Sequence, residues 1–362
     1  MKDIAIVGAG PAGYSAAITA RKRDKSVVVI GQNTGWLAHA HSIANYPGLP
    51  DISGHDLLET MKKQAQDLGA ELRPGVVHQI VSLGSSFALS LGADFIEAER
   101  IILCTGAKQP KLLPGESELL GRGVSYCGTC DGMFYRGKRV AVIAQGPEAV
   151  SEANFLAGLC SEVVYFGAKE DALDDRITVC GQKPEAILGE STATGLKAGG
   201  EDFPFDGVFI FRETAALSTL LPGLEMDGAF IRVDRRMKTN LPGVFAAGNV
   251  LHVHDLVDFV SQEAARAGEN AARYLLEHRR EGKTVRLTGQ NGVRYTVPQY
   301  LDPEAMEETV TVRFRVGKPY RDADLAVYLD GRLLRRVHKR ILSPGEMEQL
   351  TLRRADLPRG LK

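Results

Sequence analysis

The sequence predicts an α/β protein with two βαβ units and a small all-β appendage at its C-terminal end. Three observations predict it. A short apolar run near the first residue leads into a glycine turn and an Ala-rich stretch, the same order recurs near residue 140, and strict apolar/polar alternation takes over after residue 283.

The first unit runs strand Ile4 to Val7, turn Gly8-Ala9-Gly10-Pro11-Ala12-Gly13, helix to Arg23, strand Val27 to Ile30. About 30 residues is the span of a Rossmann-like unit that carries a dinucleotide on a helix N-terminus. Glycines there let backbone N–H groups approach a pyrophosphate, whose charge the helix dipole favours. Next, Ser53 to Gly69 reads as a helix, with Ser53 as N-cap, Leu57, Leu58 and Met61 on one face and Gly69 as the stop. Ile101 to Leu103 is a strand ending in Cys104-Thr105-Gly106.

The second unit has strand Arg139 to Ile143, turn Ala144-Gln145-Gly146-Pro147, helix Glu148 to Leu159 and strand Val163 to Phe166. Its loop departs from Gly-x-Gly-x-x-Gly/Ala by placing Ala144 where the turn is tightest. Pro242 to Val250 is strand-like, and Gln262 to Glu277 reads as an amphipathic helix. From Lys283 onward, Val310, Val312, Phe314 and Val316 face one way while Thr311, Arg313 and Arg315 face the other. Asn291-Gly292 and Asp330-Gly331 are hairpin signals, so Lys283 to Lys362 reads as a small all-β domain, in the manner of a sandwich.

Composition narrows the class. Forty-four basic against 45 acidic side chains leave a net charge of -1, which excludes a polyanion binder and so nucleic acid as the partner. Five cysteines, an odd count in a long chain, do not form a secreted disulfide framework and fit a reducing cytoplasm. The most apolar stretch, Ile4 to Ala20, is interrupted by glycines and Pro11, so no membrane span is expected. The neutral total hides an asymmetry. The β segment holds about 16 basic and about 10 acidic residues, roughly +6, leaving about -7 on the rest of the chain. Two readings stand: a solvated arginine-rich sheet face, or a docking surface for an acidic partner.

The strongest chemical signal is Cys127-Gly128-Thr129-Cys130-Asp131-Gly132. Two thiols two residues apart at a helix start can close a disulfide, and the dipole there favours the thiolate that exchange needs. A structural zinc site asks for a second pair, which Cys160 and Cys180, twenty residues apart, do not make. Those two and Cys104 read as buried small hydrophobes. Asp131 is placed to exchange a proton with a thiolate, or to cap the helix, or both.

These motifs, in this order, resemble the low-molecular-weight thioredoxin reductase family of flavoprotein disulfide reductases, over residues 3 to 278. The matching segments are Gly8 to Gly13, Ala44-Asn45-Tyr46-Pro47-Gly48, Cys104-Thr105-Gly106-Ala107, Gly123 to Gly132, and Val244 to Val250. The resemblance implies FAD as cofactor, held by Gly8, Gly10, Pro11, Ala12, Gly13, Gln32, Gly35, Leu37, Asn45, Thr105, Gly106, Gly248, Asn249 and Gln262. It implies an FAD-binding domain of residues 1-113 and 241-282, an inserted NAD(P)-like domain of residues 114-240 that carries the cysteines, and a separate β domain of residues 283-362. Cys130 would face the flavin, Cys127 would attack the partner's disulfide, and Asp131 would serve as acid/base. The disulfide partner would be a thioredoxin-like protein or a small disulfide, the enzyme cytoplasmic and homodimeric, with no metal.

Where members that use NADPH carry a His-Arg-Arg cluster for the 2′-phosphate, this chain reads Gly167-Ala168-Lys169. Together with Ala144, that points to an electron donor other than NADPH, such as the acidic iron–sulfur protein ferredoxin that serves a subgroup of the family. Asn249 replaces the usual Asp and can still accept and donate hydrogen bonds to a ribityl chain. Trp36, with His39 and His41, lies in a loop that would cover the flavin or pack on the sheet edge. The loop between Asn249 and Gln262 is longer than usual. Three other functions remain open at this level: an NAD(P)H-dependent thioredoxin reductase, a flavin dithiol oxidase passing electrons to oxygen, and a redox-sensing scaffold.

Overall fold

Two stretches of chain alternate between two structural units in the computed structural model, one of residues 74–98 and 108–223 with Met1, the other of residues 2–73, 99–107 and 224–362. The structure describes all residues except 33–35, 93, 108–110, 127, 146–148, 213–216, 275–284, 304–305, 307 and 358–362, and leaves the side chains of Trp36, Thr129, Cys130 and Ser218 undescribed.

In the second unit, Lys2–Val7 pairs in parallel with Val27–Ile30, and that strand with Glu71–Arg73. On the other side of Lys2–Val7 lies the strand Asp94–Leu103, whose last residues pair in parallel with Val244–Ala246. The helix Pro11–Arg21 buries Ala12, Gly13, Tyr14, Ala16, Ala17 and Ala20. Small residues on both helices let it approach Val257–Tyr274 closely, and a Cβ on Gly268 would lie 2.4 Å from the carbonyl oxygen of Ala16. Gly54–Asp67 is capped as expected, Ser53 Oγ accepting the Asp56 N–H at 3.0 Å, with Leu57, Leu58 and Met61 buried.

The helix expected from Gln262 begins at Val257 instead. Asp258 in its first turn complements the dipole, and burial of Val260, Ala264, Ala267 and Ala271 extends the apolar stripe back into what was read as loop.

The C-terminal strands cluster within this second unit. Thr309–Val316 pairs antiparallel with Val293–Val297 and Glu348–Arg353, and the alternation holds: Val310, Val312, Phe314 and Val316 are buried around Leu301, Met306, Leu342, Leu350 and Leu352. Asp330-Gly331 turns the hairpin Tyr320–Leu329/Arg332–Leu342. Asn291-Gly292 does not join a hairpin. Both residues have positive φ, but the strand before them, Val285–Arg286, pairs with Tyr300–Leu301, while Val293–Val297 pairs with Thr309–Val316. Turn chemistry reverses the chain without choosing its partner.

In the first unit, Thr178–Cys180, Glu162–Phe166, Arg139–Gln145, Gly207–Arg212 and Val124–Ser125 form one parallel sheet in that order. Two apolar clusters flank it, one around Leu119, Ile143, Phe166, Leu196 and Ile210, the other around Val142, Leu156, Tyr165, Phe209 and Phe211. The expected turn at Ala144-Gln145 is still strand, and the helix is Ala149–Ala157. Among the described residues no helix is long and apolar enough to cross a membrane.

Candidate active site

The first glycine loop sits where the strand order of its sheet reverses, between the carboxyl ends of Lys2–Val7 and Asp94–Leu103, the usual place for a ligand on an open parallel sheet. Two glycines are demanded by contact. A Cβ on Gly8, at φ +121, would lie 2.1 Å from the carbonyl oxygen of Cys104, and one on Gly13 would lie 1.9 Å from that of Gly8. The loop is thereby pressed onto the neighbouring strand end, where the Cys104 N–H bonds Val7 O at 2.7 Å. Gly10 caps the helix without any side-chain hydrogen bond, with Pro11 at its first turn, so the N–H groups of that turn have no intrahelical acceptor.

Space and unmet bonding both fit FAD here. Nothing lies within 4 Å of a Cβ placed on Gly10, and the Thr105 hydroxyl, at the end of the adjacent strand, is buried with no hydrogen-bond partner. Gly248 and Asn249 follow Val244–Ala246, the third strand end of the same edge. Gln32, Leu37 and Gly106 are half-buried, Asn45 and Gln262 exposed; Gly35 lies outside the described residues. His39 and His41 are exposed, and the Trp36 side chain is not among those described.

Asn249 differs from its expectation in one respect. The backbone N–H of His254 donates to Asn249 Oδ1 at 3.1 Å, and His254 Nδ1 lies 3.0 Å from the same oxygen. A backbone N–H can only donate, so the amide oxygen faces His254 and is committed to it. The Asn249 NH₂ is what remains for a ribityl hydroxyl, as donor only.

Beneath this turn lies a group of side chains that sequence reasoning missed. Glu263, 2 % exposed, accepts the Gly248 N–H through Oε1 at 2.9 Å and meets His252 Nε2 through Oε2 at 2.9 Å. His254 Nε2 is 3.5 Å from Oε1, and Arg313 of the C-terminal strands is 3.6 Å from Oε2. Burial works against the charge on Glu263, yet the two histidines hold its carboxyl well below the ordinary range. Burial pushes His252 down and the Cys104 thiol up, the latter helped by Glu263. The signal was available: a glutamate on an otherwise apolar helix stripe is costly unless paired.

On the other unit, Gly128–Asp131 is a single helical turn; Cys127 and the Cys130 side chain lie outside what the structure describes. Asp131 does not cap the turn that follows it. Its Oδ2 accepts the Ser125 hydroxyl at 2.7 Å, which fixes the carboxylate. Met133 and Phe134, directly after the motif, are 55 % and 74 % exposed. Cys104 is buried as expected, whereas Cys160 and Cys180 are only half-buried.

The strand end before the second glycine loop, whose residues 146–148 lie outside the described residues, meets a different environment. Its sheet reverses between Arg139–Gln145 and Gly207–Arg212, and the two strand ends are tied together by Arg212 Nε donating to Gln145 Oε1 at 2.9 Å. The same guanidinium grips Glu116, which is wholly buried, through both carboxylate oxygens. Tyr126 and the Leu113 N–H donate to Glu116 as well, each at 2.8 Å. Burial, then the Glu116 charge, raises the Tyr126 phenol. Gly167-Ala168-Lys169 offers no guanidinium, and the next one, Arg176, is held by Asp174.

Comparison with known proteins gives the family. The family model for pyridine nucleotide-disulphide oxidoreductases matches residues 2–273. The thioredoxin reductases of Listeria monocytogenes and Treponema pallidum are 34 % and 36 % identical, over 76 % and 75 % of this chain and 94 % and 97 % of theirs. A crystal structure of a ferredoxin-flavin thioredoxin reductase from Clostridium acetobutylicum aligns with a TM-score of 0.66 at 38 % identity, over 76 % of this chain and 97 % of its own. The chain belongs to the thioredoxin reductase family of pyridine nucleotide-disulphide oxidoreductases and is a flavoprotein oxidoreductase of that kind.

Proposed function

We propose that this enzyme binds FAD and reduces the disulfide of a thioredoxin-like protein through Cys127 and Cys130, with a ferredoxin-type iron–sulfur protein as donor in place of NADPH. The observation that carries the donor is the tie between Gln145 and Arg212, with Glu116 behind it, across the crevice a nucleotide would need. A pyrophosphate at that edge would have to displace the Gln145–Arg212 contact, and the buried Glu116 anchors Arg212 there. The relative from Clostridium acetobutylicum, a ferredoxin-flavin thioredoxin reductase by its own description, supports the same reading.

Bound FAD, once reduced by two electrons from the donor, would supply them to the Cys127–Cys130 disulfide. The remaining steps belong to the chain. The Cys127 thiolate attacks one sulfur of the partner's disulfide and releases the other as a thiolate. The Cys130 thiolate then attacks Cys127, which frees the second partner thiolate and re-forms the Cys127–Cys130 disulfide. Asp131, held by Ser125, would carry a proton between Cys130 and the departing thiolate. The exposed Met133 and Phe134 support a protein-sized partner.

Anaerobic titration of the yellow holoprotein tests the donor. Reduced ferredoxin should bleach the flavin, while NADPH and NADH at micromolar concentration should leave it oxidised. Rapid bleaching by NADPH would return the enzyme to the nucleotide-dependent class.

A further inference from the structure

The two arginines expected on the solvent face of a β segment, Arg313 and Arg315, are 14 % and 12 % exposed at their side chains and reach into the cofactor unit. Arg315 donates to Val253 O at 3.1 Å and Pro344 O at 3.0 Å, and lies 3.6 Å from Asp255. Met347 N–H bonds the other oxygen of Asp255 at 3.1 Å. Arg313 stands over the Phe259 ring, 5.6 Å from its centroid, and 3.6 Å from Glu263. Two residues apart on one strand, these guanidiniums bracket the His252 to Asp255 loop. The loop in turn holds Asn249 through His254, while Glu263 holds the Gly248 N–H.

Bonding within the cluster leaves one gap. His252 Nε2 meets Glu263 and His254 Nδ1 meets Asn249, while His252 Nδ1 and His254 Nε2 are both buried without a hydrogen-bond partner. A buried carboxylate is costly unless hydrogen bonds and a neighbouring charge offset it. His252, His254 and Glu263 offer ligand atoms within 4.8 Å of one another, the spacing of a metal site. Arg313 already stands at that carboxylate with a permanent charge.

We propose that the C-terminal β module is a working part of the cofactor site: Arg313, as counter-charge to buried Glu263, is a positioning residue that holds the Gly248–Asn249 turn in the shape that binds FAD. The family model matches residues 2–273, so Arg313 lies outside the region it covers. The inference rests on Gly248 and Asn249 contacting FAD, and the experiment separates the two.

Apoprotein of the full chain and of R313M, E263Q and R313M/E263Q is titrated with FAD, following flavin fluorescence and the fine structure of its visible absorption band. Each single variant should bind roughly tenfold more weakly, because it leaves one buried charge unpaired. The double variant should return to within about threefold of the parent, with its absorption fine structure restored. A purely structural loss of module docking would not be rescued by removing the second charge. Should R313M not fold, the double variant must restore fold and flavin together. Parent-like affinity in R313M, no rescue in the double variant, or stoichiometric metal in the purified parent would each overturn the proposal. A parent chain that binds no FAD would instead overturn the reading on which it rests.

Discussion

The two glycine loops of this chain are built on the same topology and have come to opposite ends. Each follows a strand whose carboxyl end lies where the strand order of its sheet reverses. At the first, the edge is lined by backbone: Gly8 pressed on Cys104, open space beside Gly10, a free helix N-terminus and the unpaired Thr105 hydroxyl. At the second, the edge is closed by side chains, Gln145 to Arg212 to Glu116. The difference teaches that topology offers a crevice and that side chains decide whether it stays one. The module adds a related point: about six surplus positive charges are not simply displayed to solvent, since two of them face Glu263 and Asp255 of the same unit.

The largest expected effects separate what each edge is for. Cys130→Ser should keep the flavin yellow and bound while thioredoxin reduction falls to background, as measured by insulin precipitation with a chemical flavin reductant. Gly13→Val should do the reverse, losing flavin altogether, because its side chain must occupy the space of the Gly8 carbonyl. Flavin content per mole of purified chain reads this directly. A Gly13→Val protein with full flavin would break the comparison at its open end.

At the closed end, Arg212→Met should leave Glu116 buried and unpaired, costing about 3 kcal/mol in thermal or urea unfolding of the holoprotein. Arg212→Met/Glu116→Gln should recover most of that. If the double variant also gains bleaching by NADPH, the ion pair is the barrier itself; if stability returns and NADPH stays inert, the missing 2′-phosphate contacts at Gly167-Ala168-Lys169 weigh more.

What was legible in the sequence follows from range. The first strand, glycine loop and Ser53 cap are local devices, and the structure places them within a few residues of their expected positions. The amphipathic pattern read from Gln262 misses the helix start at Val257, although Asp258 marks it. Glu116 and Arg212 are 96 residues apart, and nothing in the pattern around either announces the other. Arg313 and Arg315 alternate correctly with the core valines, but alternation says only that they leave the module's own core, not that another surface waits on that side.

The smallest effect discriminates most finely between the two explanations of the closed edge. From sequence, Ala144 was the damage, a Cβ at the tightest point of a turn. In the structure Ala144 is not in a turn. It is a strand residue paired with Phe211, and its Cβ lies against Gly167, on which an added Cβ would come within 2.9 Å of it. Ala144→Gly should therefore cost only about 0.5–1 kcal/mol, the penalty of glycine in a strand, and create no NADPH bleaching at micromolar concentration. Gln145 and Arg212 would still span the crevice. Bleaching by NADPH in Ala144→Gly alone would move the cause from the tie between the strand ends back to one methyl group, and the contrast between the two edges would then be one of loop sequence after all.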